Sequence, residues 1–314
     1  MNRKEFVEIA VASFREWQRN NATLRAAALS FFIILPLPSL LFITVDIYSQ
    51  FSGQAQGSVD VIRQISALVG PTIANLIGEL LKDAANPFNS AFNSLVIVIF
   101  AVAGVIGAFA VLQDTLNVLW DIKLPTKRSI ETRIRERFVP FVSVLGASTI
   151  VVGLLEFTSL LNSTAHDGLV REIGEFAASA VLFSTQTLLS FASAILLFAI
   201  IFKEIPDTFI EWGDVWVGAI ITAIAFTIVN NVFRFFLQSL PVTSLAGAAG
   251  ALIILLLWIF VIAQVLLYGA QFTHCSAETV GSHARKGEGH KHVRKRGIAS
   301  ELLKFLRDET EHLD

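Results

Sequence analysis

The sequence predicts an all-α polytopic membrane protein, and three observations carry that expectation. Of 314 residues, 54% are hydrophobic and only 16% charged, whereas a soluble domain carries roughly a quarter charged residues. The apolar residues fall in long uninterrupted runs rather than in an alternating pattern, which excludes a β-barrel. Lys and Arg are concentrated in every second connection, as short cytoplasmic loops require.

A helix rises about 1.5 Å per residue and the hydrocarbon core is about 30 Å thick, so a span needs roughly 20 apolar residues. Six stretches qualify, at 26–47, 92–120, 138–161, 180–202, 215–237 and 248–272. Backbone polar groups have no water to bond in lipid, and only helices remain as the spanning structure. The predicted organisation is an N-terminal segment (1–25), a six-helix transmembrane domain (26–272) and a basic tail (273–314). The first apolar run follows a mixed-charge segment, contains two prolines and lacks a small-residue cleavage site, so it is expected to stay in the mature protein.

The N-terminal segment, the second and fourth connections and the tail together hold twenty of the 24 Lys and Arg residues, against three in the first, third and fifth connections. This bias places both termini in the cytoplasm. The single cysteine, Cys275, cannot form an internal disulfide and fits a reducing compartment. The tail carries Arg285, Lys286, Lys291, Arg294, Lys295 and Arg296. Such a cluster beside a membrane is expected to meet anionic lipid head groups, and no nucleic-acid partner is expected.

Between the first two spans, Val59, Ile62, Ile65, Leu68 and Val69, then Ile73, Leu76, Ile77, Leu80 and Leu81 beyond Gly70-Pro71, repeat at helical spacing. Short amphipathic helices are predicted here, lying on the outer surface or capping the bundle, with a gating lid as the alternative.

Charged groups at membrane depth need a partner, water or a nearby interface. Glu156 and Arg234 fall at similar depth in the outer half and form one expected pair, with independent snorkelling as the alternative. Asp46, Gln186, Asn230 and Asn231 share that half and suggest an outer polar cavity. Near the inner end of the second span, Gln113, Asp114 and Asn117 cluster, and Arg25 at the start of the first span is the expected partner of Asp114. In Leu35-Pro36-Leu37-Pro38-Ser39, Pro36 and Pro38 remove backbone donors near mid-membrane and predict a kinked or broken helix. Ala103, Gly104, Gly107 and Ala108, and Ala246, Gly247, Gly250 and Ala251, have the small-residue spacing of close helix crossings.

Several of these segments resemble those of a known family. Arg25-Ala26-Ala27-Ala28-Leu29-Ser30-Phe31-Phe32 enters the first span and Leu112-Gln113-Asp114-Thr115-Leu116-Asn117-Val118-Leu119-Trp120 closes the second. Ile205-Pro206-Asp207 precedes the fifth, and Gly247-Ala248-Ala249-Gly250 with Tyr268-Gly269-Ala270-Gln271 lies in the sixth. In order and spacing these resemble the YihY/BrkB family of bacterial and archaeal inner-membrane proteins, over roughly residues 20–280. The resemblance implies a six-helix inner-membrane protein, described as a transporter or an envelope-integrity factor and historically labelled ribonuclease BN.

The ribonuclease label fits the residues poorly. Metal-dependent RNA cleavage needs clustered His, Asp or Glu ligands, yet five of the six histidines (His274, His283, His290, His292 and His312) lie in or beside the tail. No phosphate-binding Gly-rich Lys-Ser/Thr loop is present. No catalytic residue, metal or cofactor is therefore expected. The leading expectation is a transporter or flippase-like protein handling a lipid, another amphiphile or a small solute. The alternative is a structural or scaffolding protein of the envelope, and a hydrolase ranks third.

Overall fold

The computed structural model describes residues 3–52, 59, 61–63, 65–66, 73–78, 91–122, 138, 140–146, 148–151, 153, 170–171, 174–208, 210–238 and 247–279. Among these the chain is helical and contains no strand. The principal helices are α1 (Arg3–Arg19), α2 (Ala22–Ile34), α3 (Leu37–Ser52), α4 (Ala91–Leu119), α5 (Glu175–Glu204), α6 (Trp212–Gln238) and α7 (Gly247–Thr279). Five helical stretches are long and apolar enough to cross a membrane: Ala22–Ile47, Leu95–Leu119, Glu175–Glu204, Trp212–Leu237 and Gly250–Thr279. They match the first, second, fourth, fifth and sixth predicted spans. In the third, Pro140–Val151 is a shorter apolar helix, and the rest of 138–161 lies largely outside the described residues, as do the basic second connection and the tail beyond Thr279.

The first span is two helices. Leu35 and Pro36 form a turn between α2 and α3, with the Leu35 amide still bonded to the Phe31 carbonyl at 3.1 Å and the Leu40 amide to the Pro36 carbonyl at 2.9 Å. Pro38 occupies the first turn of α3, where a helix has no intrahelical use for the missing amide hydrogen. The break is packed, not empty. A Cβ added at Gly104 of α4 would lie 2.6 Å from Pro36, and one at Gly107 would lie 3.0 Å from the Phe32 ring. The glycines of α4 therefore let the bent span lie directly on the second one.

The long helix α7 is the axis of the molecule and touches α1, α2, α4, α5 and α6. Its 33 residues amount to about 50 Å, well beyond the hydrocarbon thickness. Two apolar cores flank it. One joins Ala22, Ala26 and Leu29 of α2, Leu116 and Leu119 of α4, Phe198 and Phe202 of α5, Val215 and Ala219 of α6, and Leu267 and Ala270 of α7. The other joins Leu41 of α3, Phe233 and Leu237 of α6 and Leu255 and Trp258 of α7. The end with the first core is called proximal here, and the other distal.

At the distal end Val61, Ile73, Leu76 and Ile77 are buried in the second core. Ile73, Leu76 and Ile77 belong to the predicted apolar stripe, whereas in its first part Val61 is buried and Val59 is exposed.

Helices α6 and α7 cross in close contact. Gly218 of α6 faces Thr273 of α7, and Gly269 of α7 faces Thr222 of α6; a Cβ on either glycine would overlap the opposing threonine hydroxyl. Both threonines bond backward along their own helices, Thr222 Oγ1 donating to the Gly218 carbonyl at 2.7 Å and Thr273 Oγ1 to the Gly269 carbonyl at 2.9 Å. Each helix thus carries Gly-x-x-x-Thr, and the two antiparallel copies interlock.

Candidate functional site

Polar groups gather at the proximal end around the connection between α5 and α6. Helix α5 stops because Pro206 follows its last turn, and the chain bends through Ile205, Pro206 and Asp207 back towards α4. The Asp207 carboxylate accepts two hydrogen bonds from α4, from Gln113 Nε2 at 3.1 Å and Asn117 Nδ2 at 2.9 Å. The Asp207 backbone amide in turn donates to Asn117 Oδ1 at 2.9 Å. Gln113 and Asn117 lie four residues apart on one helical face and are both buried, while Asp207 is half-buried.

Other contacts close the same region. The Lys203 ammonium donates to the Ile210 carbonyl and sits 5.7 Å from the centre of the Trp212 ring, so the connection is held at both ends. Trp120 Nε1 donates to the Ala270 carbonyl of α7 at 3.0 Å, and its ring stacks on His274 with centroids 5.8 Å apart. His274 Nε2 lies 3.6 Å from the Glu278 carboxylate. Beside them, the buried Gln271 Nε2 approaches Cys275 Sγ at 3.7 Å, and its Oε1 has no hydrogen-bond partner among the described residues.

The sequence-derived candidates separate into two groups. Gln113 and Asn117 meet at the proximal knot, but with Asp207, whose signal in the sequence is only its place in Ile205-Pro206-Asp207. Asp114, one residue from Gln113, is exposed and takes no part in this knot. Arg25 does not pair with it: the Arg25 guanidinium donates through Nε to the Asn20 carbonyl at 3.1 Å. The reason is local, since the turn joining α1 to α2 presents that carbonyl within reach of the side chain.

The outer candidates are not brought together. Arg234, Asn231, Gln186 and Asp46 are exposed, and Asn230 is half-buried. Asn231 Nδ2 donates to the Thr227 carbonyl at 2.8 Å, and Asp46 accepts from Gln50 Nε2 at 3.4 Å. Glu156 lies outside the described residues, so its pairing with Arg234 falls there as well.

The distal half of α5 stands apart from its proximal half. From 179 to 188 every residue is exposed except Leu182, so all faces of the helix are open there. Ser184, Thr185 and Thr187 donate to carbonyls of their own helix at 2.8 to 2.9 Å. Gln186 between them makes no hydrogen bond among the described residues. Further along, Ala199, Phe202 and Ile205 are fully buried. Among the described residues no three His, Cys, Asp or Glu side chains converge as a metal site.

The family model of the virulence factor BrkB matches residues 13–294, a stretch that contains the knot, the broken span and the α6–α7 clasp. This chain belongs to the BrkB family. Three curated relatives, each named a UPF0761 membrane protein, extend the comparison. The one from Janthinobacterium sp. (strain Marseille) is 29% identical over 254 residues, 79% of this chain and 54% of its own length. That from Alteromonas mediterranea is 24% identical, covering 82% of this chain and 84% of the relative. That from Actinobacillus pleuropneumoniae is 24% identical, covering 87% and 94%. The chain thus spans about half the length of the Janthinobacterium relative. No solved structure matches it.

Proposed function

We propose that this BrkB family member is a transporter or flippase-like protein of the prokaryotic inner membrane that moves a lipid or another amphiphile without chemically altering it. Both termini are assigned to the cytoplasm, which makes the proximal end the inner one and lets the basic tail rest on anionic head groups. The supporting observation is the distal half of α5, where Ser184, Thr185, Gln186 and Thr187 stand open at membrane depth. An unsatisfied amide in hydrocarbon is costly, and a helix that carries one on an open face is suited to a polar head group passing along it. The closed proximal end gives such a path a floor.

A scaffolding role is the second reading. It is favoured by the proximal knot, where Gln113 and Asn117 are buried and paired with Asp207 as a static clamp would be.

Reconstitution separates the two. Purified protein is placed in liposomes carrying a fluorescent phospholipid, and transfer of the probe between leaflets is followed by a membrane-impermeant quencher. Transfer faster than in empty liposomes, slowed by Gln186→Leu, is the expected result. Folded, correctly inserted protein that leaves lipid and solute probes where they started turns the assignment to scaffolding.

A further inference from the structure

The N-terminal helix α1 has a second apolar face that no other part of the described chain covers. Its first face packs on the bundle: Ile9 and Ser13 are buried, and Ile9 joins Phe272 and Cys275 in a small core with Val217 and Ile221 at its edge. The second is the row Val7, Val11 and Phe14, 42 to 53% exposed, with Gln18 at its C-terminal end.

Three contacts fix which way that row points. The Ser13 hydroxyl faces the Cys275 thiol, the Phe6 ring packs on Phe272 with centroids 5.6 Å apart, and the Ala10 carbonyl accepts from the Tyr268 hydroxyl at 3.3 Å. At 3.6 residues per turn, roughly 100° each, Ser13, Phe6 and Ala10 follow one another around α1 in that order. Along α7 their partners descend from 275 through 272 to 268, into the apolar part of the helix. Continuing the same rotation brings Phe14, Val7 and Val11, which therefore face the hydrocarbon side. Next come Lys4 and Arg15, then Glu8, Arg19, Glu5 and Glu16, which face away.

The level is set by neighbouring residues. Val217 and Ile221 belong to the first turns of a span, and the exposed Trp212 and Trp216 beside them are the amphipathic aromatics that gather at head-group depth. Asn20 and Asn21 alone separate α1 from the first span, with Asn21 in a left-handed conformation (φ 50°) that turns the chain sharply. So short a connection holds α1 at the membrane surface.

We propose that α1 is an interfacial helix that seats Val7, Val11 and Phe14 in the boundary between head groups and acyl chains, with Lys4 and Arg15 against lipid phosphates. The occupant of the open face is thus the bilayer itself. The charge order agrees, because the exposed bases Lys4 and Arg15 border the row while Glu5 and Glu16 lie farthest from it, and a helix with one apolar and one charged face beside lipid adopts this pose.

The test uses the full chain in nanodiscs holding one copy each. An environment-sensitive fluorophore is attached at Val11→Cys or Glu8→Cys in a Cys275→Ala background, and again with the buried native cysteine left in place, so that either background can report. Shallow spin-labelled phospholipid is the quencher. The expected result is a blue-shifted emission at position 11 with several-fold stronger quenching than at position 8. In discs containing phosphatidylglycerol the quenching at position 11 should exceed that in phosphatidylcholine, and Lys4→Gln with Arg15→Gln should remove the difference. Equal, water-like emission at both positions overturns the proposal. So does a shielded position 11 that spin-labelled lipid cannot quench, which would mean that protein covers the row.

Discussion

Helix α5 has two halves in opposite circumstances. In its proximal half Phe198, Ala199 and Phe202 are locked among α2, α4, α6 and α7, and the connection that follows is pinned by Asp207 to Gln113 and Asn117. In its distal half, 179–188, hardly a side chain meets protein. Hydropathy cannot produce this contrast, because lipid tails solvate Phe183 as well as a protein core does. What distinguishes the halves is shape and hydrogen bonding: small residues and paired polar groups draw helices together at one end, and the polar row at the other stays exposed.

Mutations can break this comparison at several strengths. The largest effect is expected at the interlocked crossing, where Gly218→Val would place a side chain on Thr273. Overpacking of this kind costs about 1–3 kcal/mol and more where the backbone cannot yield, and thermal unfolding in detergent should show the variant sharply destabilised or not recovered as folded protein. Thr273→Ala in the same chain should restore part of the loss, since it removes the hydroxyl that the new side chain strikes.

Next is Asp207→Ala, which removes the carboxylate that accepts from Gln113 Nε2 and Asn117 Nδ2. Hydrogen bonds to a charged group contribute about 1.5–3 kcal/mol each and are not additive, so a clear fall in midpoint temperature is expected. Asp207→Asn should retain more of it, because one acceptor survives. A smaller loss, about 0.5–1.5 kcal/mol, follows from removing the Trp120 to Ala270 hydrogen bond by Trp120→Phe.

The smallest stability effect belongs to the open half. Gln186→Leu removes no contact with a partner among the described residues and should change stability by no more than about 0.5 kcal/mol, while slowing lipid transfer in the liposome assay. A large loss of stability there would show that the distal half of α5 is packed after all and would remove the contrast.

Much of the fold was legible beforehand, for reasons the particular residues make plain. Among the described residues, the five stretches long and apolar enough to cross a membrane announce themselves as long apolar runs, and Pro36 marks the division of the first span because a proline lacks a backbone donor. The site was less legible. Gln113 and Asn117 could be singled out as polar residues at membrane depth, but their partner lies some 90 residues away in a short connection where an aspartate is unremarkable. The one available signal was its place in Ile205-Pro206-Asp207. Arg25 misled because opposite charges at equal depth invite a pair, while the nearer Asn20 carbonyl needs no second helix to supply it.

By itself, then, the amino-acid order settled that this chain is helical and lies in a membrane, because those outcomes depend on transfer free energies and backbone hydrogen bonds that each segment carries alone. Which helices touch, where Asp207 reaches α4, that Gly218 and Gly269 receive opposing threonines, and which face of α1 is left uncovered were decided only in three dimensions. Inside a bilayer every apolar surface is equally content with lipid, so partner choice rests on close fit and directional bonds between residues far apart in sequence.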